Sequence, residues 1–182
     1  MGGVYSYFFP PTPVRIILLG LRSGGKTTIL YQFKLNEVVS NIPTIGFNVE
    51  LIEYKNYALT MWDMGACDKL RPMWKHHFKG TDAVIFVVDS SVPRKDIEEA
   101  RDEMEDVLAT ENLENVKVLI MANKQDLPNA LSVEDITEEL HLNRPGGCMK
   151  DRTWNVIGTN AIIGEGIYEG LDWILTVVQK DI

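Results

Sequence analysis

The stretch that decides the fold is Gly20-Leu21-Arg22-Ser23-Gly24-Gly25-Lys26-Thr27. It follows a short apolar run at residues 14–19 and precedes a helical pattern. A G-x-x-x-x-G-K-[ST] sequence in this setting is typical of a loop whose backbone N–H groups bind phosphate oxygens, helped by the positive end of the following helix. Lys26 would supply a positive charge to the terminal phosphates, and the Thr27 hydroxyl would bind Mg²⁺. The stretch therefore predicts nucleotide binding, although it does not identify the base.

Outside this loop, short apolar runs alternate with longer amphipathic stretches, which is typical of parallel strands joined by helices. Residues 55–57 separate two adjacent apolar runs and predict a hairpin, so one edge strand should be antiparallel. We predict an α/β fold with helices on both faces of a mostly parallel sheet of roughly six strands and about five helices. The apolar runs are 14–19, 47–54, 58–62, 83–88, 116–121 and 154–157, and helical patterns begin near Gly25, Asp96, Val133 and Gly166, with a weaker one after Asp68.

Composition limits the kind of protein this can be. The chain has 182 residues, which fits one domain, and a formal net charge of -8 at pH 7. An acidic surface repels polyanions, so we do not expect nucleic acid as a partner. The two cysteines, Cys67 and Cys148, show none of the spacings of a zinc site and favour a reduced, cytoplasmic protein. The apolar runs are too short to span a bilayer, and no secretory signal is indicated.

A second motif identifies the base. Residues 123–126 read Asn-Lys-Gln-Asp and follow the apolar run 116–121, at the strand end where such sheets bind ligands. The Asp126 carboxylate can accept hydrogen bonds from the ring N–H and the exocyclic amine of guanine, whereas adenine presents mismatched groups. Asn123 would tie this segment to the base and the phosphate loop, and the Lys124 stem would lie along the base plane. Alone, the tetrapeptide could be a polar turn; with the phosphate loop it predicts guanine and disfavours an ATP-dependent kinase.

Two further segments predict a magnesium-linked switch. Residues 43–46 contain Thr44, and residues 62–65 contain Asp63. A hydroxyl on a mobile loop binds Mg²⁺ only while the terminal phosphate keeps that loop closed, so Thr44 would report the nucleotide state. Asp63, at the end of a strand, would hold the same ion through a water molecule.

Together these motifs resemble the Arf family of small GTPases over almost the whole chain. The family-specific segments are residues 26–31, 42–50, 123–130 and 168–173. The resemblance implies a P-loop small-GTPase fold with a six-stranded sheet, and GTP/GDP cycling with Mg²⁺ that exchange factors and activating proteins drive. It also implies effector recruitment in vesicle traffic at the Golgi or another endomembrane, and a base-contact loop that places the backbone N–H of Ala161 near the guanine oxygen. The predicted nucleotide-binding residues are Gly20, Leu21, Arg22, Ser23, Gly24, Gly25, Lys26, Thr27, Thr28, Thr44, Asp63, Ala66, Asn123, Lys124, Asp126, Asn160 and Ala161.

The chain departs from the family where hydrolysis is controlled. The family pattern after Asp63 is Asp-x-Gly-Gly-Gln, but here the last two positions are Ala66 and Cys67. A glutamine carboxamide orients the attacking water, whereas a thiol is shorter and hydrogen-bonds weakly, so we expect slow or lost hydrolysis. Arg22 replaces the usual Asp and either stabilises charge in cis or lies solvated on the outer edge of the loop. Two functions follow: a switch with impaired hydrolysis, or an adaptor that holds GTP permanently.

The N-terminus predicts a lipid anchor. Residues 1–6 fit the myristoylation pattern, with Gly2 as the acceptor. One acyl chain binds membranes with a constant of about 10⁴ M⁻¹, so the aromatic side chains of the arm at residues 1–13 would have to add to it. No basic residue precedes Arg15, and attraction to anionic lipid should be weak. We predict a GTP-binding domain at residues 14–182 and reversible association of a cytoplasmic protein with membranes.

The resemblance also implies an effector surface beside the switch segments. Phe47 and Trp62 fall within it, although both could be ordinary sheet residues. The third aromatic position of the family is occupied by His77 in this chain. This change leaves the identity of the effectors, and of the exchange factor and activating protein, open.

Overall fold

The computed structural model describes residues 10–35, 46–65 and 71–180. Four predicted site residues, Gly2, Thr44, Ala66 and Cys67, lie outside these ranges, as does most of the predicted arm. The strands are β1 (Thr12–Leu19), β2 (Phe47–Tyr54), β3 (Tyr57–Met64), β4 (Ala83–Asp89), β5 (Lys117–Asn123) and β6 (Trp154–Thr159). The helices are α1 (Lys26–Leu35), the single-turn α2 (Arg71–Trp74), α3 (Arg94–Leu108), α4 (Val133–Glu139) and α5 (Ile167–Gln179).

The six strands form one sheet in the order β2-β3-β1-β4-β5-β6. Only the β2–β3 pair is antiparallel, and every other neighbouring pair is parallel. The predicted mostly parallel sheet with one antiparallel edge is therefore confirmed. No helix in the described ranges is long and apolar enough to cross a membrane.

The predicted three-residue hairpin connection is wrong by one residue. Tyr57 pairs with Tyr54, which leaves a two-residue turn at Lys55 and Asn56. Lys55 adopts φ of 52°, as the first position of a tight hairpin turn of this kind requires. Backbone pairing rather than the end of an apolar run sets the boundary.

Several strands also extend beyond their apolar runs at the carboxyl end. Asn123 pairs in register with Asp89 on one side and with Thr159 on the other. These polar residues are strand residues because ladder hydrogen bonds depend on the neighbouring backbone and not on the polarity of the side chain. As a result, polar side chains are held on rigid strand ends.

The core lies on both faces of the sheet. In β1, Ile17 and Leu19 pack on the face covered by α3, whereas Ile16 and Leu18 pack on the face covered by α1 and α5. All four are completely buried. Burial on both faces explains why the parallel strands read as continuous apolar runs. The carboxyl ends of these strands then meet along one edge.

The loop that contains Cys148 is held by one partly buried hydrogen-bond network. The Arg152 guanidinium donates to the carbonyls of Leu108, Leu113 and Cys148. Burial raises the pKa of the Cys148 thiol, and the negative charge of Glu105 adds to this. A thiol that stays protonated packs as a small apolar group, so this loop is anchored to the core.

Candidate nucleotide and magnesium site

The predicted chemistry-bearing segments meet at the carboxyl edge of the sheet. The phosphate loop follows β1, Asp63 lies near the end of β3, and Asn123 ends β5. The loop after β6 contains Asn160 and Ala161. Ligands of open α/β sheets bind at this edge, and the structure brings the described parts of both predicted motifs together there.

The glycines of the phosphate loop allow two close approaches of the backbone. Gly20 has φ of 127°, and a Cβ there would lie 2.2 Å from the carbonyl oxygen of Val87. Gly25 has φ of 102°, and a Cβ there would lie 2.3 Å from Nδ2 of Asn123. Both positions need a residue without a side chain. The loop thus packs against β4 and β5 through its own backbone.

Lys26 places a buried positive charge in this loop. Only 6% of the residue is exposed, and its Nζ donates to the carbonyls of Gly20 at 2.7 Å and Leu21 at 2.8 Å. A buried charge needs such partners. The ammonium group is thereby held beside the start of α1, where helix N–H groups favour an anion.

Thr27 and Asp63 fit a magnesium site. The Thr27 hydroxyl donates to Oδ2 of Asp63 at 2.5 Å, and Asp63 is completely buried. Mg²⁺ prefers such hard oxygen ligands and retains several waters, so Thr27 would bind the ion directly and Asp63 through a water molecule. The ion would supply positive charge that stabilises the terminal phosphates.

Asn123 joins the phosphate loop to the end of β6 and to the loop that follows β6 through one buried amide. Its Nδ2 donates to the carbonyl of Gly24 at 2.8 Å. Its Oδ1 accepts from the Thr159 hydroxyl and from the backbone N–H of Ala161, each at 3.1 Å. The expected tie between the Asn123 segment and the phosphate loop is present. The Ala161 N–H, expected near the guanine oxygen, lies at this junction.

Two more predicted base-contact residues, Lys124 and Asp126, follow Asn123 closely in the chain. Asp126 is exposed, which leaves its carboxylate accessible to a base. Lys124 has φ of 68°, and its Nζ lies 2.5 Å from Oδ2 of Asp89. Burial alone would raise the pKa of Asp89, but hydrogen bonds from Lys124 and Ser91 outweigh it and lower that pKa. Lys124 is therefore tethered by a carboxylate that stays ionised at neutral pH.

Two predicted residues have surroundings that the motifs did not indicate. Asn160 is buried, and its Oδ1 accepts from the backbone N–H of Ile162 at 3.0 Å, which shapes the loop. Arg22 is exposed and lines a cavity of about 310 Å³ together with Asp96 and Glu99 of α3. Arg22 thus lines the same cavity as two acidic residues of α3, and a catalytic role of Arg22 stays a prediction.

The three predicted effector-surface residues form one aromatic cluster. Ring centroids of Phe47 and Trp62 are 5.3 Å apart, those of Phe47 and His77 are 4.8 Å apart, and those of Trp62 and His77 are 5.1 Å apart. Arg15 holds the cluster from the β1 side, since its guanidinium lies 4.3 Å from the Trp62 ring and donates to the His77 carbonyl at 2.7 Å. Phe47 remains 49% exposed.

Four supporting residues were not predicted. Asp89 ends an apolar strand at the same edge, and Gln125 lies inside the base motif, so position alone could have indicated them. Gln125 donates to the Ser90 hydroxyl and to the Leu131 carbonyl, both at 3.0 Å. Arg15 and Gln32 carry no such signal, because their contacts are made across the fold.

Comparisons with known proteins identify the family of this chain. The model of the ADP-ribosylation factor family matches residues 5–178. The chain is also similar to the Arl6 BBS3 small GTPase from Trypanosoma brucei, solved with the bound nucleotide analogue GppNp. The two share 31% sequence identity with a TM-score of 0.85, over 93% of this chain and 99% of the other. This protein therefore belongs to the ADP-ribosylation factor family of small GTPases, a family of GTP hydrolases that bind GTP or GDP with Mg²⁺.

Proposed function

We propose that this protein is a membrane-associated switch that recruits effectors in vesicle traffic. Its intrinsic hydrolysis of GTP, without an activating protein, would be slow. The observation that supports a switch is a hydrogen bond of 2.8 Å from the N–H of Gly65 to the carbonyl of Gly46. It lies at the end of the β2–β3 hairpin that is nearest to Asp63. Thr44 precedes Gly46 by two residues, and Cys67 follows Gly65 by two. Both switch segments are therefore attached to the same end of one hairpin, beside the magnesium residues, where one phosphate would bias both.

The proposed effector surface lies on the outer part of this hairpin. Three apolar side chains at alternating positions of the edge strand β2 remain exposed: Phe47 at 49%, Val49 at 36% and Leu51 at 78%. Alternate residues of a strand share one face, so these continue the cluster of Trp62 and His77. A contiguous exposed apolar strip of this kind indicates a surface for a protein partner.

The proposed slow hydrolysis predicts a gain of function. We expect Cys67→Gln to accelerate single-turnover GTP hydrolysis on the order of 10- to 100-fold, because positioning the attacking water contributes at least that much in such sites. The protein would be loaded with GTP, started with Mg²⁺, quenched, and its nucleotide separated by chromatography. Cys148→Ser is the matched control and should hydrolyse at the wild-type rate.

The same experiment distinguishes a switch that hydrolyses GTP slowly from an adaptor that holds GTP permanently. Slow accumulation of GDP on the wild type supports the switch. GTP that persists on both the wild type and Cys67→Gln supports the adaptor that Ala66 and Cys67 also suggest. A wild-type rate equal to that of Cys67→Gln would contradict impaired hydrolysis.

For the membrane, we propose N-myristoylation at Gly2 and reversible attachment to the Golgi or another endomembrane. The myristoylated GTP form should float with liposomes, and Gly2→Ala should abolish flotation, because the acyl chain supplies most of the buried apolar contact. Gly3→Ala keeps the acceptor and should float like the wild type. Equal flotation of Gly2→Ala would rule out this anchor.

A further inference from the structure

Gln32 makes a buried contact between α1 and the base-contact loop, residues 160–166. Only 4% of Gln32 is exposed. Its Nε2 donates to the carbonyls of Ala161 at 2.9 Å and Ile162 at 3.2 Å. An amide nitrogen has two N–H donors, so both are satisfied by this loop.

The peptide groups around Ala161 are held from two sides. Gln32 binds the Ala161 carbonyl, while Oδ1 of Asn123 accepts from the Ala161 N–H. Nδ2 of the same Asn123 donates to the carbonyl of Gly24 in the phosphate loop. A continuous series of hydrogen bonds therefore runs from α1 through the base-contact loop to the phosphate loop.

The base-contact loop has little apolar packing of its own. Ile162 is 59% exposed and Ile163 is 70% exposed, and only Ala161 among the three is buried. Gly164 and Gly166 both have positive φ, at 80° and 72°, and glycine loses more conformational freedom on ordering than other residues. The order of this loop depends on its polar contacts.

Gln32 is itself fixed by its surroundings. The Tyr168 hydroxyl donates to the backbone carbonyl of Gln32 at 3.0 Å, and the Tyr168 ring packs edge-on against Phe33 with centroids 5.9 Å apart. The start of α5 thus holds this turn of α1, so that the Gln32 amide has a defined position.

We propose that Gln32 is a positioning residue for guanine recognition: it holds the base-contact loop so that the Ala161 N–H, which donates to Asn123 in this structure, stays within reach of the base oxygen and bound nucleotide leaves slowly. The inference rests on the proposed guanine-nucleotide switch and adds a residue that acts through the loop. Gln32 binds two loop carbonyls, so it would act on the base through the base-contact loop.

The test compares GDP dissociation from the wild type, Gln32→Met and Gln32→Glu. Methionine keeps the length and apolar packing but removes both donors, whereas glutamate turns acceptors toward two carbonyl oxygens. We expect dissociation from Gln32→Met to be about tenfold faster, equivalent to about 1.4 kcal/mol, and from Gln32→Glu faster still. Lys34→Met is the matched control on the same helix and should leave the rate of GDP dissociation unchanged. The Lys34 ammonium group forms a salt bridge of 2.6 Å with Glu50 of β2, which is not part of the base-contact loop.

A second nucleotide distinguishes a loss of positioning at the base oxygen from a general loosening of the whole nucleotide site. In 6-thioguanosine diphosphate a weakly accepting sulfur replaces the base oxygen, while the two donors that Asp126 would bind remain. The wild type should release this analogue faster than GDP. In Gln32→Met the ratio of the two dissociation rates should be closer to one. Unchanged GDP dissociation in both Gln32 variants, or equal acceleration for both nucleotides, would overturn the inference. A wild type that binds no GDP would instead overturn the proposed function.

Discussion

The Asp126→Asn variant should lose GDP binding and gain binding of xanthosine diphosphate. The carboxylate can accept from both the ring N–H and the exocyclic amine of guanine, whereas the asparagine amide would turn a donor toward that amine. Xanthine carries an oxygen in place of the amine, so the same amide matches it. Sites that recognise a base by paired hydrogen bonds reject a mismatch by about 10⁴-fold. Equilibrium competition between the two diphosphates measures the exchange of preference directly.

The position of Asp126 makes this result interpretable. It is exposed and follows the strand that Asn123 anchors to the phosphate loop, so the substitution should not disturb the core. Asp102→Asn is the matched control, because it makes the same chemical change at an exposed site on α3 and should keep GDP affinity. Wild-type GDP affinity in Asp126→Asn would show that another group recognises the base.

The Gly25→Ala variant should lower nucleotide affinity on the order of 100-fold or more. Its Cβ would lie 2.3 Å from Nδ2 of Asn123. That side chain cannot move without losing its contacts to Gly24, Thr159 and Ala161, and a buried polar group left unsatisfied costs about 1–3 kcal/mol. The positive φ of Gly25 adds about 1–2 kcal/mol of backbone strain. Nucleotide binding and the midpoint of thermal unfolding should both fall.

A variant at a second glycine distinguishes the steric clash with Asn123 from the backbone strain of a positive φ. Gly80 also has a positive φ, of 75°, but an added Cβ meets nothing within 4 Å. It precedes β4, at the sheet edge opposite the site. Gly80→Ala should lower the unfolding midpoint modestly and leave nucleotide affinity unchanged. Equal loss of affinity in the two variants would mean that the Asn123 contact is unimportant.

The fold could be predicted because its parallel strands are buried on both faces. Such strands appear as short apolar runs, and all six were found within a few residues of their observed ends. The errors lie where polar residues continue a ladder, as Asn123 does between Asp89 and Thr159. Pairing there is decided by the neighbouring strand, which a local pattern cannot report.

By itself, the sequence determined the phosphate loop from Gly20 to Thr27, the guanine-recognition segment at Asn123 and the unusual pair Ala66 and Cys67. These are local signals, since the chemistry of each depends on residue types at short spacing. The tertiary structure alone decided that Arg15 supports the aromatic cluster and that Gln32 holds the Ala161 carbonyl, 129 residues away. The physical reason is that a buried hydrogen bond needs a partner at about 3 Å, and only folding brings such distant residues to that distance.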